Sequence, residues 1–176
     1  MTGRLFSKIS PALWASSRFH SLSHEAQRVF FYLCTSRHVT SAGCYWLPDL
    51  YASADLRCDV ETYQALRDEL VKAGMIDFDA DHSVVLIEKW FKHNAPTNDS
   101  HALGTSRRLA DVPSECLRKK AELALAEVEE ARIAKLARDE ANREAKRIKR
   151  ELSVGSSFGS ERSNLTNSQY MRGKFR

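Results

Sequence analysis

The sequence contains no long apolar run. None of its 176 residues falls in a segment approaching the roughly 20 consecutive apolar residues that a membrane-spanning helix requires. The N-terminus also lacks the basic segment followed by an apolar one that is typical of a secretory signal. These two absences predict a cytoplasmic protein without a membrane partner.

Cysteine is scarce and scattered along the chain. The cysteines, Cys34, Cys44, Cys58 and Cys116, include no C-x-x-C pair, so neither a redox motif nor a compact zinc site is indicated. Grouping Cys44 and Cys58 with His38 would give irregularly spaced ligands, which is weak evidence for a metal site. We therefore predict reduced, partly buried thiols and no bound metal.

Motifs of the common enzyme classes are absent as well. There is no glycine-rich phosphate loop, no H-E-x-x-H metal motif and no G-x-S-x-G nucleophile elbow. The segment KHN, residues 92–94, is the one polar cluster that resembles a site. A loop that hydrogen-bonds to its own backbone accounts for it equally well. The sequence thus predicts neither an enzyme nor a cofactor.

Positive charge is concentrated in the second half of the chain. The formal net charge is +4, but residues 1–98 carry ten basic and eleven acidic side chains and are close to neutral. Residues 99–176 carry seventeen basic and twelve acidic side chains. Affinity for polyanions is therefore expected in the C-terminal half.

Helix and strand signals follow one another in the first half. Ser23 precedes an apolar helical stripe, Pro48 opens a two-turn helix, and Asp59 caps a helix over residues 60–73 that stops at Gly74. The apolar runs MIDFD and SVVLIEKWF, joined by the polar turn ADH, predict an antiparallel hairpin. A helix-turn-helix followed directly by a β-hairpin is the element order of a winged helix.

Five stretches between residues 4 and 120 occur in a specific order: FSKISPALW, LSHEAQRVFFYLCTSRHVTSAGCYWLP, LVKAGMIDFD, IEKWFKHNAPTNDSHA and RRLADVPSECL. In this order they resemble a family of phage and prophage winged-helix proteins grouped with replication initiators or replisome organisers. The resemblance implies DNA binding at an origin and recruitment of replication proteins through the C-terminal part. Composition and periodicity alone do not indicate replication.

The helix over residues 60–73 would be the recognition helix, yet its outer face is acidic. Helical spacing places Glu61, Gln64 and Asp68 outward. Such a face does not provide the phosphate attraction on which most DNA-binding proteins depend. It offers specificity contacts instead, since Gln64 suits an adenine edge and Arg67 suits guanine or a phosphate. The predicted DNA contacts on this helix are Thr62, Gln64, Arg67 and Lys72.

Attraction to phosphates is expected from cations beyond the recognition helix. Each alone resembles an ordinary solvated charge, but together they follow the hairpin closely. The predicted phosphate contacts are Lys89, Lys92, Arg107, Arg108, Lys119 and Lys120. The acidic helix face also suits a basic protein partner. Three functions stay open: DNA binding in phage or prophage replication, transcriptional regulation, and a protein-interaction module that does not bind DNA.

A long charged helix is predicted over residues 113–152, which contain no glycine and only the initial proline. Apolar residues recur every 3.5 positions from Leu117 to Leu152, but most are alanine, so the helix forms either a weak coiled-coil homodimer or a lone helix. Its end is strongly basic and is the predicted site for a host or phage replication protein, through Arg143, Lys146, Arg147, Lys149 and Arg150.

The expected fold is mainly α with a small β-hairpin. A winged-helix domain is expected over 4–98, a connecting loop and short helix over 99–112, the long helix over 113–152, and a disordered basic tail over 153–176. Double-stranded DNA is the expected partner.

Overall fold

The computed structural model describes residues 6–164, with side chains described as far as residue 152. This part of the chain is mainly helical, with one three-stranded antiparallel sheet and a long C-terminal helix. The chain divides into two compact units, Met1–Glu130 and Ala131–Arg176. None of the described helices is both long enough and apolar enough to cross a bilayer.

The N-terminal unit begins with short helical segments. A 3-10 helix, Pro11–Ala15, starts after Ser10, whose hydroxyl accepts a hydrogen bond from the Ala12 amide. Helix α1, Ser17–His20, and helix α2, His24–Thr35, follow. The Oγ of Ser23 accepts a hydrogen bond from the Ala26 amide at 3.2 Å, which confirms the predicted cap of α2.

Two helices separated by a tight turn follow the first strand. Helix α3 spans Asp49–Leu56 and helix α4 spans Val60–Lys72. Asp59 caps α4, because its Oδ1 accepts a hydrogen bond from the Thr62 amide at 2.7 Å. The helix stops where Gly74 adopts a φ of +63°, a left-handed conformation that glycine reaches without steric cost. The predicted cap and the predicted stop of this helix are confirmed.

The sheet consists of the predicted hairpin and a third strand that precedes it in the chain. The hairpin consists of β2, Ile76–Asp79, and β3, Val84–Ile87, while β1, Cys44–Trp46, pairs with the other edge of β3. Val85 therefore lies opposite Tyr45 on one side and opposite Phe78 on the other. All four residues of this central strand are buried, as expected for a strand covered on both faces.

The packed core continues beyond residue 98, where the sequence places the end of a winged-helix domain. Helix α5, Trp90–Asn94, and helix α6, Asp99–Ala110, follow the sheet. Leu109 of α6 and Val112 are buried in the same core as the sheet and α2. Apolar residues at the start of the last helix join this core: Leu117, Ala121 and Leu125.

The last helix, α7, spans Glu115–Asn164. It starts close to the predicted position but continues past the expected end at residue 152, so the first part of the expected disordered tail is helical. The rest of that tail, residues 165–176, lies outside the described residues. The apolar seam is only partly exposed, since Ala124 and Val128 pack against the core of the N-terminal unit.

Candidate nucleic-acid interface

The outer face of α4 is acidic in the structure, as the sequence predicts. Glu61 and Asp68 are exposed, and the exposed cation on this helix, Lys72, lies at its C-terminal end. Tyr63 and Leu70 are fully buried on the opposite side. The helix therefore presents little positive charge to a polyanion.

Arg67 does not extend from α4 into solvent. Its side chain is 10% exposed, and its Nη1 lies 2.7 Å and 2.9 Å from the two carboxylate oxygens of Asp49. Its Nη2 lies 2.9 Å from Asp68, and the guanidinium stacks 4.0 Å above the Phe78 ring. Burial acts to lower the pKa of Arg67, but the hydrogen bonds to Asp49 and Asp68 outweigh it and raise the pKa. The charge of Arg67 is thus neutralised within the protein.

The other predicted base contacts on α4 are also engaged. The Nε2 of Gln64 donates a hydrogen bond to Asp49 at 2.8 Å, and the hydroxyl of Thr62 donates one to Asp59 at 2.8 Å. Arg67 and Gln64, which the sequence predicts as base contacts, both bond to Asp49 of α3, and Thr62 completes the helix cap.

Two of the predicted phosphate contacts, both on α7, have carboxylate partners. The Nζ of Lys120 lies 2.5 Å from both Asp77 and Glu88, which are neighbours at the open end of the hairpin. These hydrogen bonds, with Asp77 the larger contributor, raise the pKa of Lys120. Lys119 pairs with Glu115 one turn earlier at 2.6 Å. Lys120 is therefore a structural residue, since its charge is balanced by two carboxylates.

The remaining predicted cations of the N-terminal unit are exposed. They have no ion-pair partner within the described part of the chain, and they are Lys72, Lys89, Lys92, Arg107 and Arg108. The fold brings two of them, Lys89 and Lys92, together with Lys8 and Arg18 around one cavity of about 490 Å³. We name this the cationic cavity, and its floor is apolar, with Leu13, Phe30, Met75, Ile87 and Trp90.

Lys8 and Arg18 are not predicted from the sequence, because both are far along the chain from Lys89. The backbone of Lys8 is fixed by Asn94, whose Oδ1 accepts the Lys8 amide at 2.9 Å and whose Nδ2 donates to the Lys8 carbonyl at 3.0 Å. Residues 92–94 are therefore part of α5 and not a self-bonded loop, which corrects the interpretation of the KHN segment.

Arg18 reaches the cavity from α1. Its Nη1 donates a hydrogen bond to the carbonyl of Gly74 at 3.0 Å, which connects α1 to the end of α4. Lys89 occupies the left-handed region with φ 56° just before α5. Glu88, the acidic residue among those lining the cavity, is paired with Lys120. Four cations thus surround the cavity without a carboxylate of their own.

The predicted partner-binding cations on α7 are exposed in the C-terminal unit: Arg143, Lys146, Arg147, Lys149 and Arg150. Arg147 lies 3.1 Å from Glu144 and 3.5 Å from Glu151, pairs that support an exposed helix by a few tenths of a kcal/mol each. The seam residues beyond Glu130 are exposed as well. No metal-binding group of three His, Cys, Asp or Glu side chains occurs among the described residues.

In comparisons with known proteins, no protein-family model, no curated protein and no solved structure matches the chain.

Proposed function

We propose that the chain is a winged-helix DNA-binding protein of phage or prophage replication. In this proposal α4 is the recognition helix, the β2–β3 hairpin is the wing, and the basic part of α7 recruits a host or phage replication protein. Two features support the fold assignment: the order α2, β1, α3, α4, β2, β3, and the pairing of β1 with the free edge of β3.

The observation that carries the proposal is the grouping of four uncompensated cations around the cationic cavity. A polyanion gains affinity mainly by exchanging its counterions for lysine and arginine side chains. Lys89 and Lys92 are exposed, and Lys8 joins them through its backbone contact with Asn94. We place the main phosphate contacts at this cavity, with Arg107 and Arg108 of α6 as further contacts.

In this arrangement α4 contributes shape and not attraction. Its position relative to α3 is fixed by the Arg67–Asp49 contact, so the helix is a rigid element. Exposed Glu61 suits the amino group of a cytosine, a contact worth about 1–3 kcal/mol of discrimination. Sequence preference is therefore expected to be modest, while the dependence of affinity on salt is expected to be steep.

A salt titration tests the proposal. Genomic fragments that contain the protein's own gene are titrated with the full chain at several salt concentrations. We expect one fragment to bind tightly, and the double variant Lys89→Ala, Lys92→Ala to reduce the slope of log K against log salt by about 2. The matched control is Arg37→Ala, because Arg37 is an exposed cation that pairs with Asp55 and does not line the cavity. An unchanged slope in the double variant would overturn the phosphate-contact assignment.

The position of the bound site separates replication from transcription. Binding within repeats inside a replication gene supports an initiator. Binding over a promoter instead supports the alternative of a winged-helix transcriptional regulator.

A second candidate function, a protein-interaction module that does not bind DNA, is favoured by a different observation. Three large apolar side chains are largely exposed: Trp46 by 51%, Leu50 by 69% and Tyr51 by 51%. The ring centroids of Trp46 and Tyr51 lie 5.5 Å apart. Exposed aromatic side chains are enriched at protein interfaces. The absence of binding to any fragment at low salt would favour this function over the first.

A further inference from the structure

The cationic cavity combines two surfaces of opposite character. Its floor is formed by apolar side chains of the core, among them Phe30, Met75 and Ile87. Its rim carries Lys8, Arg18, Lys89 and Lys92. Its volume of about 490 Å³ lies within the range of small-molecule sites, about 300–1,000 Å³.

The charges at the rim are not balanced inside the protein. Glu88 also lines the cavity, but its carboxylate lies 2.5 Å from Lys120. Arg18 donates to the neutral carbonyl of Gly74, and Lys89 and Lys92 have no ion-pair partner in the described part of the chain. Like charges around a concave, partly apolar surface create a positive potential that an anion would lower.

The two surfaces together define the chemistry of a ligand. A bare phosphate would leave the apolar floor in contact with water and would gain nothing from it. A neutral apolar molecule would cover the floor but leave the lysines without a counterion. A molecule with an apolar body and one negatively charged group satisfies both surfaces.

We propose that the cationic cavity binds a small organic anion, a carboxylate with an apolar body of medium-chain or single-ring size. The apolar body lies over Leu13, Met75 and Ile87, and the carboxylate contacts Lys8 and Lys92. This site goes beyond the proposed function and does not depend on it. Competition between the ligand and DNA phosphates for the same lysines is a consequence that rests on the proposed function.

Calorimetric titration of the full chain in the absence of DNA tests the site with three probes. The probes are octanoate, octanol and inorganic phosphate. We expect octanoate to bind about tenfold more tightly than either of the others, because only octanoate uses both surfaces. Equal binding of octanoate and octanol would overturn the role of the lysines. Equal binding of octanoate and phosphate would overturn the role of the floor, and no octanoate binding at millimolar concentration would overturn the site.

Variants locate the binding within the molecule. Lys92→Ala is expected to weaken octanoate binding about three- to tenfold and to leave octanol binding unchanged, whereas Lys119→Ala is expected to leave both unchanged. Ala12→Trp places a large ring at the exposed edge of the cavity and is expected to abolish octanoate binding. Circular dichroism confirms that each variant is folded. Full octanoate affinity in folded Lys92→Ala and Ala12→Trp would overturn the location.

The same experiment separates this inference from the proposed function. If octanoate binds and no DNA binds, the ligand site is supported, and only the predicted competition between ligand and DNA is ruled out. If DNA binds and octanoate does not, the proposed function is supported, and the organic-anion site in the cationic cavity is ruled out.

Discussion

The guanidinium of Arg67 lies 2.7 Å from the carboxylate of Asp49, and this contact connects α4 to α3. Both side chains are shielded from water, with 10% and 21% of their surfaces exposed. The Phe78 ring covers one face of the guanidinium, so the contact also connects α4 to the hairpin. A residue on the candidate recognition helix is thus used to hold the fold together.

Asp49→Ala is expected to destabilise the protein by about 2–3 kcal/mol. The substitution leaves the buried Arg67 with one carboxylate, Asp68, and leaves Gln64 without its acceptor. Urea unfolding at neutral pH measures the loss. The control is Glu25→Ala, which breaks the exposed pair with Arg28 and is expected to cost less than about 0.5 kcal/mol. Similar losses in the two variants would contradict the structural role of Arg67.

The burial of Arg67 cannot be predicted from the sequence of α4 alone. Helical periodicity correctly places Glu61 and Asp68 on the exposed face, since it depends on spacing along one helix. The sequence also makes Arg67 available as a DNA contact, because a charged residue is expected in water. The burial of Arg67 depends on Asp49 and Phe78 from two other elements, and no local pattern reveals that these three groups converge.

Gly43→Ala is expected to destabilise the protein by about 3 kcal/mol or more. A Cβ at this position would lie 2.2 Å from Cγ of Trp90, and the φ of +65° is unfavourable for any side chain. Trp90 is buried and its indole N–H donates to the Ser41 carbonyl at 2.8 Å, so the ring cannot move away cheaply. Thermal unfolding followed by circular dichroism measures the effect.

Gly104→Ala is the matched control for that substitution. Gly104 lies inside α6, and a Cβ there would meet no atom within 4 Å apart from its chain neighbours and the adjacent backbone of the helix. The variant is expected to be more stable than the native protein by about 0.5–1 kcal/mol, because alanine favours the helix. A loss of stability at residue 104 equal to that at residue 43 would show that the environment of Gly43 is not special.

Cys116 is expected to be the fast-reacting thiol of the folded protein. Burial raises the pKa of Cys34 and of Cys44 to about 12, which keeps both protonated and inaccessible at neutral pH. Cys116 is exposed at the start of α7, and Cys58 is only partly covered. A thiol-specific chromogenic disulfide measures the phases, and Cys116→Ser is expected to remove the fastest one. Rapid labelling of Cys34 or Cys44 without denaturant would contradict the described core.

In the variant Asp59→Asn, the free energy of unfolding is expected to fall less steeply with decreasing pH than in the native protein. The Thr62 amide and then the Thr62 hydroxyl lower the pKa of Asp59 in the folded protein. A lowered pKa means that the stabilisation is complete above the unfolded value of about 3.9 and disappears as the pH falls through the folded value. Asparagine accepts the capping bond but does not titrate. Urea unfolding at several pH values should show the native protein losing its advantage over the variant only in acid.

Only some residues of the candidate site could be predicted from the sequence. Lys89 and Lys92 are recognisable because they follow the hairpin closely. Lys8 and Arg18 are not, since a hydrogen-bonded contact between Asn94 and the Lys8 backbone and another between Arg18 and Gly74 bring them there. The caps at Ser23 and Asp59 are readable because a cap depends on residues three positions apart. Contacts between distant segments have no such local signature.

The variant Lys89→Gly tests the side-chain charge of Lys89 separately from its left-handed backbone conformation. Lys89 has a φ of 56° and a ψ of 25°, a conformation that costs a lysine about 1 kcal/mol and that glycine adopts freely. The variant should therefore retain its stability within about 1 kcal/mol, while the slope of log K against log salt for DNA decreases by about 1. Lys89→Ala removes the same charge but keeps the unfavourable backbone conformation, so it should bind DNA like the glycine variant and unfold more easily. Native binding in both variants would exclude Lys89 from the interface, because neither retains the cation and the glycine variant retains the fold.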